Sequence, residues 1–237
     1  MKILALETSA TAASVAVCEE DELLAQSFQR TGLTHSRTLA MMLADLLKNC
    51  GLTLAEMEII AVAAGPGSFT GLRIGVSAAK GLAWVENKPC AGVSTLEAMA
   101  WSLAFREGDV CAVMDARRGQ VYNALFTAGG GRLIRRCPDR AVSMNDLAEE
   151  LSALKKTQIL VGDGAVLCYN ELKKRELPVE LAPPHLLYQS AWGVARAAVE
   201  LAHQGGLVTA AELTPVYHRL SQAERERLEH AEKNKGD

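Results

Sequence analysis

Two stretches of the sequence carry residue types and spacings that could hold an anion, and a third echoes one of them. Gly65-Pro66-Gly67-Ser68 follows the apolar, β-branched run Ile59–Ala64 and leads into a helical pattern. The glycines tolerate positive φ, the proline fixes its own φ without supplying an N–H, and Ser68 or Thr70 can cap the helix. A strand, a glycine turn and a helix N-terminus form either an anion cradle or simply a tight strand-to-helix turn. The spacing is neither that of a P-loop nor that of a Rossmann turn. Glu7-Thr8-Ser9-Ala10-Thr11-Ala12 joins two short apolar runs. Its hydroxyls and N–H groups suit a phosphate, or else a polar hairpin turn that satisfies its own backbone. Asp115-Ala116-Arg117-Arg118-Gly119-Gln120 repeats that arrangement later in the chain. The five histidines include no H-E-x-x-H pair, and His35 reads as a surface residue. The six cysteines (18, 50, 90, 111, 137 and 168) include no C-x-x-C pair, so they read as separate reduced thiols.

The elements that must position these turns are unusual helices. Across 70–85 the charged Arg73 and Lys80 share one narrow polar strip, while Leu72, Ile74, Val76, Leu82, Ala83 and Val85 cover most of the remainder. An apolar stripe of about 100° suffices to pack a helix on one sheet face, and this one spans about twice that. Gly71, Gly75, Ala78, Ala79 and Gly81 leave the backbone bare, at ~1 kcal/mol of helix propensity per glycine. Such a surface predicts very close approach of a second helix. The helix at 34–49, closed by Gly51, is similar: Leu39, Ala40, Met42, Leu43, Ala44, Leu46 and Leu47 span roughly 200°, and Met41 intrudes on the polar face between Arg37 and Asp45. Both helices are expected to be buried on two sides.

Strand candidates 2–6, 13–18 and 23–28 form antiparallel hairpins ahead of the first helix. After the central helix come a strand near 90–93 and a helix over 95–105, with Ser94 as cap and Glu97 completing a capping box. Near residue 107 the pattern restarts with strands 110–114 and 121–126 and a third run near 133–134. A helix from Ser143 to Leu154, a strand over 158–161, the turn Gly162-Asp163-Gly164, a helix to Arg175, a proline-marked loop and a helix over 190–204 follow. Two halves of order β-β-β-α-β-α imply a duplicated α/β unit. They divide the chain into 1–106, 107–220 and a charged tail, 221–237, whose lack of apolar residues predicts a solvated helix or disorder. With 237 residues, 49% hydrophobic and 22% charged, the chain is long enough for a large core. Its formal charge of −3 argues against an extended nucleic-acid groove. No apolar run has the length of a membrane span, and the start reads as a strand rather than a leader.

L-E-T-S near the start, A-A-G-P-G-S-F-T-G-L-R-I-G-V-S-A-A-K-G-L-A, G-V-S-T-L-E-A, and P-V-Y-H-R-L-S-Q-A-E-R near the end resemble the TsaB (YeaZ) family, from residue 2 to about 227. The resemblance implies an actin-like, Hsp70-like ATPase (ASKHA) fold. It also implies a cytoplasmic, non-catalytic subunit that supports TsaD in making threonylcarbamoyladenosine in tRNA. The partners it implies are a TsaD-like catalytic subunit, a TsaE-like ATPase subunit and a second copy of the chain when alone, with tRNA met only through the complex. TsaD resembles this chain through the same turns but carries a His-x-x-x-His metal pair, and the matching positions here are Thr95 and Met99, neither an imidazole. The Ser-Gly-Gly phosphate turn of TsaD falls on Asp115-Ala116-Arg117, where a carboxylate would repel phosphate.

The expected partner surface is Arg37, Met41, Asp45, Gly71, Leu72, Gly75, Val76, Ala78 and Ala79, with the small residues admitting the facing helix. Glu7, Thr8, Ser9, Gly65 and Gly67 are the nucleotide-proximal candidates. No metal and no cofactor is expected on the chain alone, with ATP or ADP at the complex interface. Two rival readings stand beside this one. One is an independent nucleotide-dependent kinase or carbamoyltransferase of the same fold, supported by the retained turns. The other, a metallopeptidase, lacks any clustered His/carboxylate set.

Overall fold

A computed structural model describes residues Met1–His218; the tail expected from 221 onward lies outside the described residues. Strands β1 (Lys2–Glu7), β2 (Ala13–Glu19) and β3 (Glu22–Gln29) form antiparallel hairpins. Helix α1 (His35–Cys50), strand β4 (Ile59–Gly65), helix α2 (Phe69–Glu86), strand β5 (Cys90–Ser94) and helix α3 (Thr95–Trp101) complete the first half. Its sheet has the order β3-β2-β1-β4-β5, with β4 parallel to β1 and β5 parallel to β4.

The second half repeats this. Strands β6 (Gly108–Asp115), β7 (Gln120–Gly129) and β8 (Arg132–Arg135) are the antiparallel set. Then come β9 (Arg140–Ser143), α4 (Met144–Leu154), β10 (Gln158–Val161), α5 (Ala165–Lys174), β11 (Val179–Leu181) and α6 (Ala191–His203). Its sheet order, β11-β10-β6-β7-β8, is that of the first, with β9 added on β7. The duplicated β-β-β-α-β-α order is therefore a duplication of sheet topology as well.

Side chains alternate across each strand, and the two faces of the first sheet are built differently. Leu4, Leu6, Val15, Val17, Ile60 and Val62 pack against Leu39, Met42, Leu43, Leu46 and Val76 of α1 and α2. On the other face Ala5, Ala16, Ala61, Ala63 and Ala91 meet Ala191, Ala195 and Ala198 of α6. Small residues on both partners bring α6 close to that face. Helices α3 and α6 lie side by side between the sheets, and each reaches across the halves. Leu96, Met99, Ala100 and Leu103 join the core of the second sheet, while α6 packs on the first. The sequence break near 107 is thus a boundary between sheets, and residues 191–217 return to the first half.

Several boundaries differ from expectation. Helix α3 ends at Trp101, not 105, because residues 102–105 tighten into turns. Ser94 Oγ caps it by accepting from Glu97 N at 3.1 Å, but the Glu97 carboxylate does not close a capping box. It pairs instead with Arg135 at 2.7 Å, which also binds Asp139 at 2.6 Å. Strands β9 and β11 have no counterpart in the sequence reading.

Candidate functional site

Four turns converge at the carboxyl ends of β1, β4, β6 and β10, the crevice where open α/β sheets place ligands. They form two equivalent pairs, the β1–β2 turn with the β6–β7 turn, and the β4–α2 turn with the β10–α5 turn. Glu7, the last residue of β1, is fully buried, and its Oε1 accepts from Ser9 N at 2.5 Å. Burial lifts its pKa to about 7; the Ser9 hydrogen bonds oppose that and nearby Asp163 adds to it. Asp115, the last residue of β6, accepts from Arg117 N at 2.7 Å and pairs with the Arg117 guanidinium at 3.1 Å. Asp163 is itself raised, chiefly by burial and also by Asp115, while Gln189 Nε2 donates to it at 3.0 Å. The floor of the crevice therefore gathers three carboxylates from both halves. Among the described residues no three His, Cys, Asp or Glu side chains are placed to hold a metal ion.

Ser9 and Gly67 of the β4–α2 turn do come together, while Thr8 meets Gly71 and Gly75 within α2 and Gly65 meets Val216. Ser68 N donates to Ser9 O at 2.6 Å, and Gly67 packs directly on Ser9. Ser68 is the cap of α2, its Oγ accepting from Gly71 N at 3.4 Å. Buried Glu7 Oε2 and Ser9 Oγ have no hydrogen-bond partner outside their own turn. Thr95 and Met99 are fully buried, with the Met99 sulfur against Gly162.

The expected partner residues separate into two groups. Gly71, Leu72, Gly75, Val76 and Ala79 are buried within this chain, which corrects their assignment to an outer surface. A Cβ on Gly71 would fall on the Thr8 carbonyl, and one on Gly75 on the Thr8 hydroxyl and Val62. These glycines seat α2 on its own sheet and on the β1–β2 turn, so a charge at Gly75 would disrupt the fold instead of probing an interface. The polar strip of α2 is also covered from within. Lys80 Nζ donates to the carbonyls of Ala211 and Leu213 at 3.1 and 3.0 Å, and Arg73 Nε donates to the Tyr217 hydroxyl at 3.0 Å. Helical-wheel reasoning counts apolar arc correctly but cannot say which neighbour covers it.

Arg37, Met41 and Asp45 do point outward from α1, with Ala40 and Ala44 exposed among them. Met41 is 67% exposed. Ala78 of α2 is half-buried, and Val85 is exposed at the end of that helix. His35 is half-buried, its Nε2 2.7 Å from the Ala10 carbonyl.

Two copies of one strand-helix unit, with their turns facing a single crevice, define the actin-like α/β fold. Component A of the (R)-2-hydroxyglutaryl-CoA dehydratase of Acidaminococcus fermentans shares it, with a TM-score of 0.50 at 13% identity over 86% of this chain and 99% of that one. Nearer structures are more specific. YeaZ from Pseudomonas aeruginosa superposes with a TM-score of 0.76 at 28% identity, covering 91% of this chain and 99% of that chain. Residues 25–174 match the family model described as TsaD: tRNA N6-adenosine threonylcarbamoyltransferase. The tRNA threonylcarbamoyladenosine biosynthesis protein TsaB of Bacillus subtilis (strain 168) is 33% identical over 232 residues, 97% of this chain and 99% of the relative. TsaB of Escherichia coli (strain K12) is 32% identical over 222 residues, 92% of this chain and 95% of the relative. The chain belongs to the TsaB (YeaZ) family of tRNA threonylcarbamoyladenosine biosynthesis proteins. No helix among the described residues is long and apolar enough to cross a membrane.

Proposed function

We propose that this chain is a non-catalytic, cytoplasmic subunit that binds and supports a TsaD-like catalytic subunit. The observation that carries the reading is the outer face of α1, where Met41 stands 67% exposed between Arg37 and Asp45. Burying a methionine side chain contributes about 1.5–3 kcal/mol, and exposed Ala40 and Ala44 extend the apolar area beside it. Arg37, Met41 and Asp45 are spaced by four residues, so they share one helix face. In an antiparallel twofold pairing, Arg37 of each α1 meets the Asp45 position of the other, with Met41 at the axis. That arrangement suits a homodimer when the chain is alone and a pseudo-twofold heterodimer with the TsaD-like subunit.

The crevice supports the non-catalytic part of the reading. Thr95 and Met99 offer no imidazole, and the Asp115 carboxylate of the second-half turn disfavours a nucleotide phosphate there. ATP or ADP belongs, in this account, at the interface of the complex, where a TsaE-like ATPase subunit also acts, and tRNA is met only through the assembly. Sedimentation of the purified chain, alone and mixed with its own cell's TsaD-like subunit, tests the pairing. The expected result is a homodimer that converts to a one-to-one heterodimer without ATP turnover by the chain alone. Steady ATP hydrolysis by the chain alone would instead favour the independent enzyme.

A further inference from the structure

The segment after α6 ends across the mouth of the crevice. Val208 bridges to Cys90 with backbone hydrogen bonds of 2.8 and 2.9 Å, and Leu213 is buried against Gly92. From there the chain runs over the β4–α2 turn. Val216 N donates to Ala64 O at 2.7 Å, and the Val216 carbonyl lies so close to Gly65, at φ 140°, that a Cβ there would clash with it. Next, the Tyr217 ring stacks on Phe69 with centroids 4.7 Å apart, and Arg73 lies over Phe69 at 3.8 Å while donating to the Tyr217 hydroxyl. His218 then meets Tyr122 of β7 edge-on, with centroids 6.4 Å apart. Six residues therefore tie the first half's glycine turn to the second half.

The position they occupy is one a ligand could use. Gly65 and Gly67 bare the backbone ahead of the α2 N-terminus, and close approach of backbone to ligand is a common use of such glycines. Beneath them, the fully buried Glu7 Oε2 and Ser9 Oγ have no hydrogen-bond partner outside their own turn, so no other group of the chain satisfies that point of the crevice. Glu7, held about half-protonated near neutral pH by its burial, repels an anion less than an ordinary carboxylate.

We propose that residues 213–218 are an intrachain latch that takes the place of a phosphate-bearing ligand at the Gly65–Gly67 turn and excludes it until the latch is displaced. This rests on the reading above that nucleotide is absent from the chain alone, and it supplies a cause distinct from loss of the second phosphate turn. If the cleft were simply incompetent, opening the latch would change nothing.

The test compares wild type, Tyr217→Phe, Tyr217→Ala and a chain ending at Pro215, which keeps buried Leu213. Each is titrated with a fluorescent ATP analogue plus magnesium, with inorganic tripolyphosphate as competitor. Amide exchange over 65–71 reports latch opening, and partner binding is measured separately. Tyr217→Ala and the shortened chain should bind the analogue at least tenfold more tightly than wild type, with faster exchange over 65–71, and tripolyphosphate should compete. Tyr217→Phe, which keeps the stack, should stay near wild type. The proposal is overturned if the released chains exchange faster over 65–71 yet bind no better, or if wild type binds equally well. Lost partner binding with a working latch would count against the proposed function alone.

Discussion

Glu7 and Asp115 occupy the same position in the two halves, and each carboxylate accepts the backbone N–H of the residue two positions on, Ser9 and Arg117. Both acids are thus committed to holding their own turns. They differ in exposure: Asp115 meets solvent and a guanidinium, whereas Glu7 is fully buried.

That difference fixes a pH dependence. The Glu7 pKa is raised from 4.5 to about 7 in the folded chain, so the native state holds a proton that the unfolded state has released. Stability therefore falls as pH rises from about 4.5 to 7 and levels off above that. Glu7→Gln keeps an acceptor for Ser9 N and removes the titration. Urea unfolding should find the variant more stable than wild type at pH 8 by up to roughly 3 kcal/mol, and nearly equal at pH 4. A difference independent of pH would contradict the buried acid.

Thr8 Oγ1 donates to the Gly71 carbonyl at 2.8 Å, locking the β1–β2 turn to the first turn of α2. Gly71→Ala drives a methyl into the Thr8 carbonyl and should destabilise by about 2 kcal/mol or more. Gly81→Ala, on the same helix with open space around it, should stabilise by up to ~1 kcal/mol. Opposite shifts in melting temperature are the expected outcome; two stabilised variants would mean that α2 does not sit on Thr8.

The thiols give a third check. Burial pushes Cys18 and Cys168 up to about 12 and Cys111 well above its usual range, which disfavours the reactive thiolate. Cys50, at the end of α1, and Cys137, beyond β8, are only half-buried. In native protein at pH 8 a thiol reagent should label these two fast and Cys18, Cys111 and Cys168 slowly, with all six labelled after unfolding. The fast phase should vanish in a Cys50→Ser, Cys137→Ser double variant, and its persistence there would refute the assignment.

Much of the fold was legible because its signals are local. The apolar run at β4, the glycine turn and the serine caps at 68, 94 and 143 all place boundaries within a residue or two. Strands β9 and β11 were not legible, since three or four residues give too short a pattern to separate from loop. Which residues face outward was legible on α1 and misread on α2, for a physical reason. Gly71, Gly75 and Ala79 signal that something approaches closely, and that something is Thr8 and the first sheet. Arg73 and Lys80 form the polar strip of α2, and they bind residues far ahead in the chain. Nothing in the local pattern of α2 predicts the segment that lies over it.

The most direct test of the central claim is the affinity of the TsaD-like subunit for Met41→Asp, read by calorimetry on purified proteins. Ile134→Asp, an exposed apolar position in the second half at 58% against 67% for Met41, serves as control. Both variants should keep native circular dichroism and melting temperature, because neither side chain is buried in this chain. A carboxylate forced into a desolvated helix contact costs several kcal/mol. Met41→Asp should therefore bind at least a hundredfold more weakly, and cells relying on it should lose threonylcarbamoyladenosine from their tRNA, while Ile134→Asp leaves both unchanged. Wild-type affinity in a natively folded Met41→Asp would contradict the assignment of α1 as the partner surface.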